Sequence, residues 1–384
     1  MKKVLIASTA LVAATVFSAG AASASEKIKL NLGGFSKWWV VGQWQNDTQN
    51  ATGVDYNTVD VKGDNEVFFG GSTTLDNGLQ VGIDIQLEAG GNTDQGTDTI
   101  DESYVFIGGG FGKFIIGSKN NGTYLIHNTA PDAAGNWNEG GILTGGLSIV
   151  RPTAVRGTTP SLATNNNNTT AIVTDGDSDG VTYVSPTFYG LTFGATYKPN
   201  STEDVRGTSQ LNAAGTTASE IYGAGILYAN TFGGVGVKAD IGWATYDVEL
   251  GLANKTGVNE YSTGLNVSYA GFTLGGSFRK VNADTDATAA ADLDLSANAW
   301  DVGLQYASGP YAVSLAYFRS SAEDTVSNAA NDRIQFYQLS GKYTLGAGVD
   351  ALASIGYAKY DDETNLDVNE NKGWVAMTGL SLAF

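Results

Sequence analysis

The chain contains no cysteine, one histidine and few prolines, and its basic residues are outnumbered, 21 against 39 acidic ones. Without cysteine there is no disulfide framework, no thiolate metal site and no redox dyad. His127 alone leaves no partner for a two-histidine metal centre and one candidate base for a catalytic triad, so the sequence reads as that of a non-enzyme. The lysines and arginines are scattered singly in a chain of net charge −18, which excludes nucleic acid as a partner because a phosphate backbone needs a basic face. Long hydrophobic runs are also missing after the first residues, which excludes helical membrane spans. Glycine is plentiful, 51 of 384 residues, but follows no G-X-Y period, so tight turns and close backbone approach must explain it.

The N-terminus stands apart. Lys2 and Lys3 precede an apolar stretch from Val4 to Gly20, and Ala22-Ser23-Ala24 fits a small-x-small cleavage site. Residues 1–24 read as a secretory signal and residues 25–384 as the mature, exported chain. Removing two lysines and no acid makes that chain more acidic still.

What the mature chain does have is strict alternation in segments of roughly ten residues bounded by glycine, asparagine or aspartate. In Glu260–Tyr269 the even positions are small or polar, and Tyr261, Leu265, Val267 and Tyr269 stand on the other face. In Gln80–Glu88, Val81, Ile83, Ile85 and Leu87 oppose Gln80, Gly82, Asp84, Gln86 and Glu88. A soluble sandwich alternates too, but buries its aromatics mid-strand. Here they bracket the strands, as Trp300 and Tyr306 do, which suits rings at two membrane interfaces about 25 Å apart. In lipid, backbone groups can be satisfied only if such strands close on themselves.

Seven short glycine-bearing connections predict seven hairpins: Asp76–Gly78, Gly108–Gly112, Tyr189-Gly190, Thr231–Gly234, Ala270-Gly271, Ser308–Pro310 and Gly346–Gly348. With one further strand at each end, Ile28–Gln43 and Lys372–Phe384, the fold class is all-β: a transmembrane antiparallel β-barrel of about sixteen strands. A barrel of this size encloses an aqueous channel, with a greasy outside and a wet inside. Long polar loops on the opposite rim complete the pattern. The longest, within about 120–179, contains His127, Asp132, Trp137, Glu139, Arg151 and Arg156. It reads either as an external flap or as a segment of which at least the first half folds into the lumen.

The run Asp101-Glu102-Ser103-Tyr104-Val105-Phe106-Ile107-Gly108-Gly109-Gly110-Phe111-Gly112-Lys113-Phe114-Ile115-Ile116-Gly117 resembles the strand, glycine turn and strand that precede the constriction loop of Gram-negative general diffusion porins of the alpha-proteobacterial type. The opening Leu30–Gly34 and the end Leu380-Ser381-Leu382-Ala383-Phe384 are similar to that family as well, the terminal phenylalanine resembling the signal read by barrel-assembly machinery. The resemblance implies a multi-pass protein of the Gram-negative outer membrane. It also implies a homotrimer of sixteen-stranded barrels, contact with outer-membrane lipid and lipopolysaccharide, and a third extracellular loop folded inward, its acids facing a basic wall.

Carried over, Asp132 and Glu139 suit the acidic side of the constriction, whereas Asp101 stands where the family often has arginine. Strand parity adds Lys37, Lys238, Arg279 and Lys342 as basic lumen residues and Glu66, Asp84, Asp240 and Asp301 as acidic ones. Such a pore needs no chemistry. Small hydrophilic solutes and ions diffuse through water, and a surplus of lumen carboxylates predicts weak cation selectivity. Alternatives from other classes are a substrate-specific channel for a sugar or an anion, which inward Phe35, Trp39 and Phe68 would serve, and a non-conducting structural barrel. No cofactor is required. Asp175-Gly176-Asp177-Ser178-Asp179-Gly180 looks like the start of a calcium loop, but the twelfth position, where a glutamate belongs, is Pro186. Asp175, Asp177 and Asp179 therefore suit either a calcium half-site completed from elsewhere or a solvated acidic turn.

Overall fold

The computed structural model describes residues 27–46, 56–90, 100–135, 149–152, 154–155, 169–173, 176–201, 218–251, 254–285, 295–323, 331–364 and 366–384. The proposed signal, residues 1–24, lies outside them. Sixteen strands follow in chain order: β1 (Asn31–Gln45), β2 (Val59–Thr74), β3 (Gln80–Glu88), β4 (Ile100–Gly109), β5 (Gly112–Ser118), β6 (Asp179–Val184), β7 (Leu191–Asn200), β8 (Ala218–Phe232), β9 (Val235–Gly251), β10 (Asn254–Tyr269), β11 (Phe272–Thr285), β12 (Leu295–Ser308), β13 (Tyr311–Glu323), β14 (Asn331–Gly346), β15 (Val349–Asp361) and β16 (Asn371–Ala383). Each pairs antiparallel with its sequence neighbours, and β16 pairs with β1, from Phe35 opposite Ala383 to Gln45 opposite Gly373, so the sheet closes with no free edge. Among the described residues no helix is long and apolar enough to cross a membrane.

All seven short connections fall at the predicted glycines. At Tyr189-Gly190 and Ala270-Gly271 both central residues take positive φ, 51° and 88° in the first and 49° and 87° in the second. That backbone matches the twist of the flanking strands and is costly for anything but glycine or an occasional tolerated residue.

The outer face is a membrane surface. Near one rim Trp374, Tyr357, Tyr337, Tyr317 and Trp300 form a continuous row on neighbouring strands, with ring centroids 5.0, 6.2, 4.6 and 5.1 Å apart. Towards the short turns a second row carries Phe272 with Tyr306, 4.5 Å apart, and Tyr311 with Tyr343, 4.8 Å apart. Between the rows stand exposed Leu304, Leu315, Leu339 and Ile355. Trp300 and Tyr306 are six positions apart, about 20 Å along a strand. That is an apolar band edged by aromatic girdles.

The inner face departs from the expected wet lining. Inward-facing Trp39, Val41, Phe318, Ile334, Phe336, Leu352, Val375 and Met377 form a buried apolar cluster with Ala130, Ala134, Ile149 and Val155 of the long β5–β6 connection. The wall from β12 through β16 to β1 carries these apolar side chains among its polar ones because loop, not water, lies against it.

Candidate functional site

The β5–β6 connection enters the lumen directly after Ser118. Asn121 caps the short helix α1 (Gly122–Ile126), its side chain accepting from the amides of Thr123 and Tyr124 at 2.9 Å each. Gly122 N–H donates to Thr196 Oγ1 of β7 at 2.7 Å. From there the loop crosses the inner wall strand by strand. Asp240 of β9 receives His127 Nδ1 at 2.8 Å and both the amide and the side-chain nitrogen of Asn128 at 2.9 Å. Asn266 of β10 donates to the Thr129 carbonyl at 3.2 Å. Asp301 of β12 accepts from the Ala130 amide at 3.2 Å and from Ser277 of β11 at 2.7 Å. Ser314 of β13 accepts the Ala133 amide at 2.8 Å and donates to Asp132 at 3.1 Å, and Gln338 of β14 donates to the other Asp132 oxygen at 3.3 Å. Finally Lys37 Nζ of β1 donates to the Gly135 carbonyl at 2.9 Å.

A second leg lies on the first. Asn121 donates to the Ile172 carbonyl at 3.0 Å, Thr170 Oγ1 meets Ser277 Oγ at 2.5 Å, and residues 169–172 are buried. Val150 is held between Gln45 and Asn371 at 3.0 and 2.7 Å. Among the described residues of the long loop, 120–135, 149–150 and 169–172 therefore lie inside the barrel against its wall.

The described loop segments press against the wall from β7 round to β1 and leave β2 to β5 facing them across the lumen. That wall is acidic where it adjoins Lys37, whose cross-strand partner on β2 is Asp64. Glu66, Glu88 and Asp101 each bring a carboxylate oxygen within 4.8 Å of the others. Asp84 and Tyr104 are cross-strand partners below them, and Glu102 is buried against Lys119 and Asn120. Lys37, paired across the ladder with Asp64, and Lys119, bound to Glu102, stand among these acids. Three further lysines lie nearer the short-turn mouth: Lys113 with its ammonium 4.0 Å from the Phe106 ring, Lys238 exposed, and Lys342 at 3.9 Å from Asp350.

Several expected lumen charges do other work. Asp240 and Asp301 have the predicted inward parity but are buried beneath the loop, because their oxygens satisfy loop amides that would otherwise be stranded away from water. Arg279 is likewise buried, 4% exposed, with Nε 2.8 Å and a terminal nitrogen 2.6 Å from Glu260, which also accepts from Tyr246 at 2.9 Å. It cross-links β11 to β10 within the wall. Asp132 is on the loop as expected but turned to the wall. Lys37, Asp84, Asp101, Lys238 and Lys342 are not fully buried, Lys37 serving as the loop's last anchor. Trp39 belongs to the buried cluster and joins no aromatic track, whereas Phe35 and Phe68 meet edge to face at 6.1 Å. Glu139 and Asp175 lie outside the described residues. Asp177 and Asp179 join no group of three close carboxylates among the described residues, and the buried Lys198 ammonium donates to the Gly176 carbonyl at 2.9 Å, bringing to this acidic turn positive charge of its own. Glu88, Glu102, Lys113 and Lys119 were not singled out from sequence, although strand alternation alone puts Glu88 in phase with Asp84.

A family profile described as Gram-negative porin matches residues 7–363. No curated protein matches. Among solved structures the chain resembles an anion-selective porin from Comamonas acidovorans (15% identity, 93% of this chain and 100% of that chain, TM-score 0.63). It also resembles the outer-membrane channel DcaP of Acinetobacter baumannii (14%, 93% and 97%, 0.62). A third likeness is the trimer form of OmpT, an outer-membrane protein of Vibrio cholerae (12%, 94% and 100%, 0.59). The closed barrel, its two girdles and the internal loop agree with the profile, and the chain belongs to the Gram-negative porin family of outer-membrane channels.

Proposed function

We propose that the protein is a general diffusion porin, a water-filled channel for small hydrophilic solutes and ions with a weak preference for cations. The observation that carries this reading is the acidic group Glu66, Glu88 and Asp101 on the wall that faces the loop. A permeating ion passes between this wall and the stretch of loop 120–135, whose carboxylate, Asp132, is turned to Ser314 and Gln338. Fixed negative charge beside a narrow aqueous path raises the local cation concentration, and the effect fades as the Debye length shrinks to about 3 Å at 1 M salt.

A second reading, a channel specific for an anion or a sugar, draws on the lysines near the short-turn mouth and on the aromatic lining at Phe35, Phe68, Tyr104 and Phe106. The likeness to a porin named as anion-selective belongs to this reading too. A homotrimer is supported by a neighbour described as a trimer form and by an outward hollow of about 570 Å³ lined by Val40, Gly42, Leu339, Gly341, Ala353 and Ala376, which a second copy would fill. Lipopolysaccharide at the outer rim and barrel-assembly machinery during biogenesis complete the proposed partners, with calcium at the turn of Asp175, Asp177 and Asp179 as the one proposed ion.

Planar-bilayer recording of the purified protein tests the reading. Openings in threes, a cation-signed reversal potential in a salt gradient and no saturable sugar block are expected. An anion-signed potential or saturable block selects the second reading, and absence of conductance leaves a structural barrel.

A further inference from the structure

The constriction loop can lie flush on the wall only because the wall carries no side chains under its tightest contacts. Gly194 of β7, Gly225 of β8, Gly242 of β9, Gly264 of β10 and Gly303 of β12 all face inward along the path of the loop. A Cβ at Gly194 would overlap the carbonyl of Gly122, and one at Gly264 would overlap the carbonyl of Asn128. At Gly225 it would stand 2.9 Å from Ile126 Cδ1 and from the Ile241 carbonyl, at Gly242 2.6 Å from Ser262 Oγ of the wall and 3.2 Å from Thr123 Cβ, and at Gly303 3.1 Å from Ala130 Cβ and 3.2 Å from the Pro131 oxygen and Ala316 Cβ. The contact is mutual, since a Cβ on Gly122 would meet the Ala195 nitrogen at 2.6 Å. None of the five wall glycines has positive φ, so backbone geometry does not require them. Glycine inside a strand weakens it, and its recurrence where another backbone passes points to close approach.

We infer that these five glycines are positioning residues that set the cross-section of the pore: the wall, by lacking side chains, keeps the loop one layer further from the axis. The inference rests on the diffusion-channel reading and deepens it. At Gly264 the constraint is sharpest. A new methyl group there would meet both the Asn128 carbonyl and, at 2.6 Å, the Asp240 oxygen that holds the Asn128 amide and side chain, so the two must shift together towards the lumen. No charge is added or removed, so pore size changes while the fixed charges remain.

The test compares Gly264→Ala, Gly303→Ala and the pair with Gly236→Ala. Gly236 is inward on β9 but its Cβ would meet only the side chain and carbonyl of Ser268. Single-channel conductance, swelling rates of proteoliposomes in neutral sugars of increasing size, and reversal potential are read on the intact protein. Wild-type and Gly236→Ala channels are expected to agree. The loop-seat variants should conduct less and discriminate a large from a small sugar at least about twofold more strongly, with the same reversal potential. Ala130→Gly added to Gly303→Ala should restore conductance by removing the Cβ that the new one meets. Gly303→Ala meets nothing nearer than 3.1 Å, so it remains a test where Gly264→Ala fails to assemble. Folded variants with unchanged conductance and sugar discrimination would overturn the inference. A wild-type protein that conducts nothing would sink the channel reading with it.

Discussion

His127 and Asp240, 113 residues apart in the chain, meet at 2.8 Å between imidazole Nδ1 and carboxylate Oδ1 inside the barrel wall. A carboxylate only accepts, so the proton of that bond sits on Nδ1. The same Asp240 takes both nitrogens of Asn128, which makes one wall residue the acceptor for three loop donors. The single histidine of the sequence is therefore a loop fastener.

Asp240→Ala should loosen the loop. Hydrogen bonds to a charged group contribute about 1.5–3 kcal/mol each, and three sharing one acceptor do not add, so roughly 3 kcal/mol of docking is expected to be lost. Open-channel current noise should rise and hydrogen exchange in residues 122–130 should quicken, while Asp240→Asn, which keeps the shape and one acceptor oxygen, should show less of both. Quiet channels and unchanged exchange in Asp240→Ala would remove the fastener role.

Arg279 and Glu260 give a different signature. Both are buried, 4% and 0% exposed, and cross-link β11 to β10. Arg279→Met strands a buried carboxylate, a change that costs about 3–5 kcal/mol in folded proteins, whereas Arg279→Met with Glu260→Gln removes both charges and should cost much less. Thermal unfolding in detergent, followed by the loss of the fast-migrating folded band on gels, reads the difference. Selectivity should not move in the double variant, because neither charge faces the water path. A reversal potential that shifts as far as for a lumen charge would return Arg279 to the pore.

Ion preference should follow the β2–β4 wall. Neutralising Glu66, Glu88 and Asp101 together, to Gln, Gln and Asn, should move the reversal potential in a salt gradient towards the anion side, most clearly at about 0.1 M salt, where the Debye length is about 10 Å. Asp132→Asn should move it little, since that carboxylate is turned to Ser314 and Gln338. The opposite ranking would place the selective charge on the loop.

Nearly all of the barrel is legible in the alternation and the turns, because a two-residue period and a glycine hairpin are local properties. Trp300 and Tyr306 mark both membrane edges from within a single strand. Parity also puts Asp240, Asp301 and Arg279 on the inner face, where the structure has them. What parity cannot convey is what stands opposite. An inward aspartate facing water and one facing the Asn128 amide have the same sequence, and the partner is decided by a loop more than a hundred residues away. Trp39 misleads in the same way. Once loop residues such as Ala130 and Ile149 join its cluster, inward becomes interior. The glycines at 194, 242, 264 and 303 are visible as letters, but their purpose appears only when the loop is seen against them.

The rim beyond β15 should respond to pH in a window of its own. Glu363 is pushed up to about 8, chiefly by sharing a hydrogen bond with Asp332 and secondarily by burial. Its neighbour Asp362 moves the other way: burial raises it, but bonds from Thr364 and Asn369 outweigh that and hold it low. A carboxyl with a raised folded-state value binds its proton in the folded rim at pH values where the unfolded chain, near 4.3, has released it. Rim stability therefore falls as pH rises from about 4.3 to about 8 and levels off above. Asp362 works below about 3.9, where its stabilising ionisation is lost as pH falls, so the two windows do not overlap. Glu363→Gln should flatten the upper window alone. Limited proteolysis or hydrogen exchange of residues 361–371 at pH 5 and pH 8.5 reads this directly: the natural chain should open more readily at the higher pH, the variant equally at both. An undiminished pH difference in Glu363→Gln would assign the window to another group.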